Sequence, residues 1–457
     1  MTFSKSTYSR LVLAAILLFV AVHPSSAQIA KMYRDTTFGL PNAENLFKPA
    51  SVDESVLYRL DEARTVKQMD ATADGAHWYV VDEFANWQYI TIDGHPFADR
   101  YHEIAGTGTR LSPNGDYLIW SGMMHAVTEK GFDSTTVYVH KDTSLVAHYV
   151  SDNPEVEFSH SGKHWAETLP YAYYLQKGDR DLVIVDGQVV SKGNIYPHQF
   201  SFSHDEQHWA YRTTENFAER YVTDRTPTPV LLYNGNIPTG QSTYDPTIWR
   251  YTPDVRANPK RLEGRDYDFL WEHVAKLNRT AYSSLAADTS RMYINFNNRN
   301  QSLYRWISQV LIDNSGDHIA YFAADPKMKL PSTNERPAVI VQDGKIYAGP
   351  YPGVRLLFMS PSGKHLAYSL AAGVQKFYLD KKVLAKTSGI TDAAWSPDES
   401  KLAFVAAGTH GKFFVVANGK RSALFEQIGR ISWTPDGKTV EFVGIRNGQV
   451  VHVQQRI

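Results

Sequence analysis

The stretch Ser360-Pro-Ser-Gly-Lys-His-Leu-Ala-Tyr368 decides the fold, because close copies of it recur along the chain. Its serine can accept hydrogen bonds from the turn backbone, its proline fixes φ at the first corner, and its glycine tolerates positive φ at the second. The residues after the turn have the apolar alternation of a strand, so the motif predicts a tight β-hairpin. Eight copies are present: Thr72–Val80, Ser112–Trp120, Ser159–Ala166, Ser203–Tyr211, Asp313–Tyr321, Ser360–Tyr368, Ser396–Phe404 and Thr434–Phe442.

A second recurring element follows each turn by some 15 to 25 residues. It is an apolar strand that often ends in Asp-Gly or Asn-Gly, the dipeptides that most strongly indicate a two-residue hairpin. Together the two elements predict units of four antiparallel strands. Examples are Tyr89–Gly94, Leu182–Gly187, Val230–Gly235, Ala338–Gly344 and Phe413–Gly419.

The spacing of the turns predicts the architecture. Six of the seven intervals between successive turns are 36 to 47 residues, the length of a four-stranded propeller blade, and the remaining interval is 110. The sequence therefore predicts an all-β chain that folds as a single closed β-propeller of eight four-stranded blades, with seven as the alternative. A degenerate turn beginning at Asp288 lies only 28 residues before Gly316, which is short for a blade, so it is not counted.

The two ends of the chain are expected to close the ring together. After Gly437 the chain has only 20 residues, enough for two strands. The missing outer strands can come from the N-terminal side, with Ser55–Leu60 and Thr65–Met69 as candidates. A blade shared by both termini removes an open sheet edge.

The Ser-Pro-Asp-Gly-Lys signature resembles the TolB-type, WD-repeat-like repeats of bacterial envelope propellers, which are related to the propellers of the dipeptidyl-peptidase and prolyl-oligopeptidase families. The resemblance covers about residues 55–457. It implies a secreted or periplasmic propeller that binds protein or carries a partner domain. This chain departs from the two-domain members because it has no attached segment large enough to be a hydrolase domain.

Residues 1–27 have the pattern of a secretory signal. Lys5 and Arg10 form a basic start, Leu11–Val22 is an unbroken apolar run, and Ser25-Ser-Ala27 offers small residues before a cut at Gln28. Twelve apolar residues span only about 18 Å as a helix, too short for a bilayer core of about 30 Å. The sequence predicts an exported chain, periplasmic or extracellular, with an N-terminal extension at 28–54, the propeller at 55–457 and no transmembrane segment after cleavage.

Composition excludes several classes of function. The 457 residues include no cysteine, so disulfides and thiolate chemistry are absent, and a net charge of −1 does not favour nucleic acid as a partner. The chain contains no Gly-x-Ser-x-Gly, no His-Glu-x-x-His, no phosphate-binding loop and no complete calcium loop, so no catalytic residue and no cofactor are predicted.

Five of the 17 histidines occupy one repeat position, at the start of the second strand. Equivalent positions are spread around a ring and cannot converge on one ion, so these histidines are expected to be aromatic partners of their turns. The set comprises His77, His164, His208, His318 and His365.

Three other histidines are the candidates for a metal site. His160 and His204 replace the turn proline in neighbouring blades, and His198 lies close in sequence. Imidazole is a common metal ligand, and secreted propeller enzymes that cleave pectin fragments use histidine-bound metal in this general manner. The alternative is that histidine is simply tolerated at an exposed turn.

The interval of 110 residues contains an insertion at about 244–307. Leu270, Val274, Leu277 and Ala281 have helical spacing, which predicts an amphipathic helix from Asp268 to Ser284, with its core at 268–277. Trp249, Trp271 and His273 make the insertion a candidate binding element. The alternative is that its apolar stripe packs on one blade.

Two functions follow. The first is a non-enzymatic exported propeller that binds a protein or a glycan. The second is a metal-dependent propeller enzyme, either a polysaccharide lyase or a hydrolase, and it depends on the histidine-bearing turns and the aromatic insertion.

Overall fold

The computed structural model describes residues 43–127, 133–151, 154–159, 161–169, 181–193, 196–202, 206, 209–215, 218–224, 230–231, 281–285, 292–296, 299–300, 304, 307–313, 317–324, 338–351, 354–370, 376–386 and 389–457. Within them the regular structure is β-strand, apart from two short 3-10 turns at Ala43–Leu46 and Thr409–Gly411. No helical segment in this part of the chain is long and apolar enough to cross a bilayer.

The strands of the described residues form nine sheets. We number them I to IX along the chain, and the two N-terminal strands join sheets VIII and IX. Sheets I to IV contain β3 (Thr65–Ala71), β4 (Trp78–Phe84), β5 (Trp87–Ile92) and β6 (His95–Pro96); β7 (Glu103–Ile104), β8 (Arg110–Leu111), β9 (Leu118–Val127), β10 (Asp133–Lys141) and β11 (Ser144–Val150); β12 (Glu155–Phe158), β13 (Trp165–Leu169), β14 (Asp181–Val185) and β15 (Gln188–Gly193); and β16 (Tyr196–Phe202), β17 (Trp209–Glu215), β18 (Ala218–Thr223) and β19 (Val230–Leu231).

Sheets V to IX contain the remaining strands. They are β20 (Ala281–Leu285), β21 (Met292–Phe296) and β22 (Arg299–Asn300); β23 (Ile307–Ile312), β24 (Ile319–Ala324), β25 (Ala338–Gln342) and β26 (Lys345–Tyr351); β27 (Val354–Met359), β28 (Leu366–Leu370), β29 (Lys376–Leu379) and β30 (Lys382–Lys386); β31 (Ile390–Trp395), β32 (Leu402–Ala407), β33 (Phe413–Ala417) and β34 (Lys420–Arg421) with β1 (Lys48–Pro49); and β35 (Gln427–Trp433), β36 (Thr439–Arg446) and β37 (Gln449–Arg456) with β2 (Ser51–Arg59).

Each hydrophobic cluster of the described residues lies between two consecutive sheets. Between sheets II and III, for example, Ile119 and Val137 pack against Trp165 and Leu169. Equivalent clusters join I to II, III to IV, VI to VII, VII to VIII, VIII to IX, and IX back to I. Burying one such aliphatic side chain contributes about 1.5–3 kcal/mol, so the interfaces between sheets hold the fold together.

Burial changes systematically from the first strand of a sheet to the last. Second strands such as Leu366–Leu370 are buried at every residue, because neighbouring sheets cover both of their faces. First strands such as Ile390–Trp395 are half-buried along most of their length, and outer strands such as Lys382–Lys386 are exposed at four of five positions. This gradient is that of the blades of a β-propeller, in which first strands face an inner space and last strands form the rim.

The N-terminal segment fastens the last two sheets. Strand β2 pairs antiparallel with β37, from Ser51 opposite Arg456 to Arg59 opposite Gln449, and β1 pairs parallel with β34. This confirms that the outer strand of the last sheet comes from the N-terminal side. The second candidate, Thr65–Met69, is wrong in this role: it belongs to β3, the first strand of sheet I, because it pairs with β4.

Eight of the nine sheets have four strands or more, one for each copy of the turn. The ninth, three-stranded sheet V, lies inside the predicted insertion and includes the hairpin around the turn that was not counted. The predicted helix is wrong at its C-terminal end, because Ala281 begins β20 and pairs with Phe296. The predicted helical core at 268–277 lies outside the described residues, as do the signal segment 1–27 and the start of the extension, 28–42.

Candidate partner-binding face

The two edges of the sheets differ in the length of their connections. Between first and second strands the connection is six residues long, or five in sheet IX, and between third and fourth strands it is two residues long in six of the sheets. Both kinds of turn lie at one edge, which we call the turn face. At the other edge, the loop face, the fully described connections vary from 2 residues after Phe84 to 6 after Pro96.

The turn face is held by histidine–aspartate pairs. In sheet III, Asp186 accepts hydrogen bonds from the backbone N–H of Trp165 (3.0 Å) and from Nδ1 of His164 (2.6 Å). The same pair recurs as His77–Asp93, His318–Asp343 and His365–Asp380. The first turn supplies the histidine and the Asp-Gly turn supplies the aspartate, so the two repeated sequence elements contact each other.

These pairs explain why histidine recurs at one position. The expectation of an aromatic partner is only part of the answer: His365 stacks on Trp395, but its Nδ1 is bonded to a carboxylate. In sheet VIII the histidine position holds Lys401, and the second turn has Asn418 instead of aspartate. The described repeat histidines thus stabilise their turns.

Glutamate replaces the turn glycine in two sheets and links neighbouring sheets. Glu206 has φ 58, and its carboxylate accepts hydrogen bonds from the backbone N–H (2.6 Å) and Oγ (2.7 Å) of Ser161 in the preceding sheet. Glu399 makes the same contact with Ser362. Burial alone would raise the pKa of Glu399, but hydrogen bonds from Ser362 and Ser360 hold it below its ordinary value. The carboxylates of Glu206 and Glu399 on the turn face are consequently bonded within the protein.

The loop face carries a stack of aromatic and cationic side chains at the junction of sheets I and II. The Trp87 ring lies 4.4 Å from the His102 ring and 4.4 Å from the Arg100 guanidinium carbon. The His102 ring in turn stacks on that of His125 at 5.6 Å, and His102 Nδ1 accepts a hydrogen bond from the His125 backbone N–H. Beside the stack, the Phe84 side chain is 49% exposed at the tip of its hairpin.

Arg430, on the first strand of sheet IX, contacts the first strands of sheets I and II. The Arg430 guanidinium donates hydrogen bonds to the carbonyl oxygens of Leu111 (2.8 Å) and Ser112 (3.0 Å) and contacts the carboxylate of Asp70 at 3.3 Å. On the neighbouring first strand, burial and the nearby Asp70 raise the pKa of Asp392 to about 6, despite opposing hydrogen bonds and Arg430. These contacts hold the first strands together. The raised pKa brings the titration of the Asp392 carboxyl close to neutral pH.

A second polar group lines the first strands of sheets II and III. Arg110 donates to the Val156 carbonyl oxygen at 2.8 Å and contacts Glu157 at 3.5 Å. Surrounding protein raises the pKa of Glu157 although 46% of its side chain is accessible.

Among the carboxyl groups of the described residues, Glu167, on the second strand of sheet III, has the largest shift in pKa. It is completely buried, accepts a hydrogen bond from Ser121 Oγ at 2.5 Å, and its Oε2 has no hydrogen-bond partner in the described part of the chain. Burial raises its pKa to about 8. At neutral pH it is therefore mainly an uncharged acid between sheets II and III, where no substrate can reach it.

The structure does not test the roles predicted for the candidate site residues. His160, His204, Trp249, Trp271 and His273 lie outside the described residues. His198 is placed only by its backbone, on β16 opposite Arg212. The three-histidine metal site and the insertion surface stay predictions. Among the described residues, no group of three histidine or carboxylate side chains has the geometry of a metal site.

Sequence reasoning missed the loop-face stack. Trp87 and His125 belong to strands whose alternation explains them as ordinary β residues, and Arg100 and His102 lie in an irregular connection. A usable signal was available: Trp87 follows a two-residue turn between second and third strands, which places it at the edge opposite the Asp-Gly turns.

Comparison with known proteins gives a fold-level picture only. No family model and no curated protein matches the chain. Among solved structures, it is similar to the Dos1 propeller (11% identity, 90% of this chain and 96% of that one, TM-score 0.32). It is also similar to the Cps50 (Swd1) β-propeller domain of Myceliophteria thermophila (13%, 77% and 96%, 0.30) and to Kuenenia stuttgartiensis hydrazine synthase (10%, 88% and 95%, 0.30). Similarity at this level does not bear on the activity of the chain.

Proposed function

We propose that the protein is an exported, non-enzymatic β-propeller that binds a protein partner through its loop face. In this proposal the eight sheets of four or more strands close into one ring, and sheet V projects from it with the rest of the insertion. Export is proposed from the leader at residues 1–27 and the absence of cysteine.

The observation that carries the proposal is the contrast between the two faces. Turn-face side chains are bonded to each other and to the turn backbone in one repeated pattern. The loop face combines described connections of 2 to 6 residues with the Trp87 stack and an exposed Phe84. Variable loops on a rigid scaffold are where propellers and other repeat folds place recognition, and tryptophan and arginine are the residues most enriched in binding hot spots.

A protein partner is favoured over a glycan by the state of the Trp87 ring. Sugar recognition uses a free aromatic face, whereas His102 and Arg100 already lie over this ring at 4.4 Å each. The exposed edges of the stack, its charged end and Phe84 suit a polypeptide that contributes its own apolar and acidic side chains.

Site-specific photo-crosslinking in the native host tests this proposal. A benzophenone amino acid in place of Phe84 on the loop face is compared with one in place of Ala76, which is exposed on the turn face of the same sheet. We expect a discrete crosslinked product from position 84, lost when Trp87→Ala is added, and none from position 76. Crosslinking from position 76 alone, or from both positions equally, would contradict a loop-face site.

Export is tested separately on the mature protein. Mass spectrometry of the intact protein is expected to place Gln28 at its N-terminus. A soluble protein that retains Lys5 and Arg10 would overturn this part of the proposal without affecting the loop-face test.

A further inference from the structure

Sheets VII and VIII concentrate positive charge in a chain that is almost neutral. Residues 354–421 include ten lysines and arginines but only four acidic residues, whereas the whole chain has a net charge of −1. The four acidic residues do not neutralise the positive charge of the outer strands. Asp380 is bonded to His365, Glu399 to Ser362, Asp398 to its own turn, and Asp392 lies on a first strand.

Six lysines on the outer two strands of sheet VII, on the hairpin turn between them and on the outer strands of sheet VIII form what we call the basic rim: Lys48, Lys376, Lys381, Lys382, Lys386 and Lys420. Two pairs lie directly opposite one another across strands, Lys376 with Lys386 and Lys48 with Lys420. The two halves of the rim adjoin, because Phe47 and Ala385 belong to the same hydrophobic cluster.

The basic rim destabilises the sheets that carry it, and protection of a sheet edge against aggregation does not explain its presence. Like charges directly opposite across a sheet are destabilising, and no described carboxylate lies within ion-pair distance of any of the six lysines. Lysine on an edge strand does discourage aggregation. The equally open outer strand of sheet II, Ser144–Val150, has no lysine or arginine although Leu145 is 54% exposed.

Apolar side chains lie between the lysines. Val383 and Leu384 are 46% and 41% exposed, next to Lys381 and Lys382 in a tight hairpin. Leu384 is the extra residue of a bulge, so both apolar side chains are presented together. Lysine stems that flank exposed aliphatic groups suit the boundary between lipid headgroups and acyl chains, where charge and apolar surface are both satisfied.

We propose that the basic rim docks the protein on an anionic lipid surface, with Val383 and Leu384 entering the headgroup layer. This surface is at the circumference, so it leaves the loop face free, and the inference does not depend on the proposed protein partner. An acidic polysaccharide would also be attracted by the charge, but it would make no use of the exposed aliphatic pair.

The test is co-sedimentation of the mature full-length protein with lipid vesicles. We expect binding to phosphatidylcholine vesicles that contain phosphatidylglycerol, no binding to phosphatidylcholine alone, and weakening as salt is raised, because the attraction is screened. The variant K381Q/K382Q/K386Q should lower the partition coefficient about 100-fold, since each basic residue near an anionic surface contributes about a factor of five.

A matched control removes the same charge elsewhere. The variant R59Q/K163Q/K438Q changes three exposed basic residues of sheets IX and III and should bind as the wild type does. A further variant, V383S/L384S, keeps the charge and should bind several-fold more weakly. Circular dichroism melts of all variants establish that they are folded.

Three results would overturn the proposal. They are failure of the wild-type protein to bind anionic vesicles, equal loss of binding in the control variant, and binding to alginate without binding to vesicles. The last result would give an acidic polysaccharide as the occupant of the basic rim.

Discussion

Glu167 offers a sharp test of how the sheets pack. The carboxyl is completely buried between sheets II and III and has a single hydrogen bond, from Ser121. The substitution Glu167→Gln keeps the shape and the acceptor for Ser121 but removes the ability to ionise. It therefore isolates the effect of one buried acid on the stability of the whole protein.

The expected magnitude follows from the pKa. Burial raises the pKa of Glu167 to about 8, against ~4.3 for glutamate in an unfolded chain. Because the folded-state pKa is raised, the stabilisation from the protonated acid is complete below the unfolded pKa and is lost as pH rises through the folded one. Between these values unfolding stability falls by about 1.4 kcal/mol per pH unit, or about 4 kcal/mol by pH 7.

Urea unfolding followed by tryptophan fluorescence, from pH 5 to pH 9, measures the effect. The free energy of unfolding of Glu167→Gln minus that of the wild type should rise steadily with pH up to about pH 8 and then level off. Glu62→Gln, at an exposed glutamate, is the control and should give a difference that does not change with pH. A pH-independent difference for Glu167→Gln would refute the burial of an uncharged acid between these sheets.

Two further predictions concern the contacts that repeat or close the sheets. Asp186→Ala should lower the free energy of unfolding by about 2 kcal/mol and His164→Ala by about 1, because the aspartate accepts two hydrogen bonds and the histidine makes one of them; equal losses in urea unfolding would contradict the turn-face pairing. Deleting residues 43–59 removes the partner of strand Gln449–Arg456 and should produce concentration-dependent oligomers in light scattering, since an unpaired edge recruits other chains; a stable monomer at all concentrations would show that β2 does not protect this edge.

The sequence was informative about local structure because the turns have strong chemistry. Serine, proline and glycine at fixed positions predicted hairpins, and all-β structure with antiparallel sheets is what the described residues show. The strand that completes the last sheet was predictable as well, because an unpaired C-terminal edge requires a partner. Sheet V was not counted because its turn begins only 28 residues before Gly316, which is too short for a four-stranded blade.

The candidate site was much less predictable, since it depends on contacts between residues distant in sequence. Nothing in the spacing shows that Asp186 bonds to His164, although histidine accompanies aspartate in the described sheets. The Trp87 stack combines residues from two sheets, and Glu167 differs from a surface glutamate only by its buried surroundings. Tertiary packing, rather than local propensity, creates all three.

A crystal structure of the mature protein tests the central claim, that the sheets close into one ring whose loop face is free for a partner. The account predicts eight sheets of four or more strands around a single axis, with β2 completing the last of them and sheet V outside the ring. A ring of six or fewer sheets, two separate rings, or sheet V inserted as a ninth blade would contradict it.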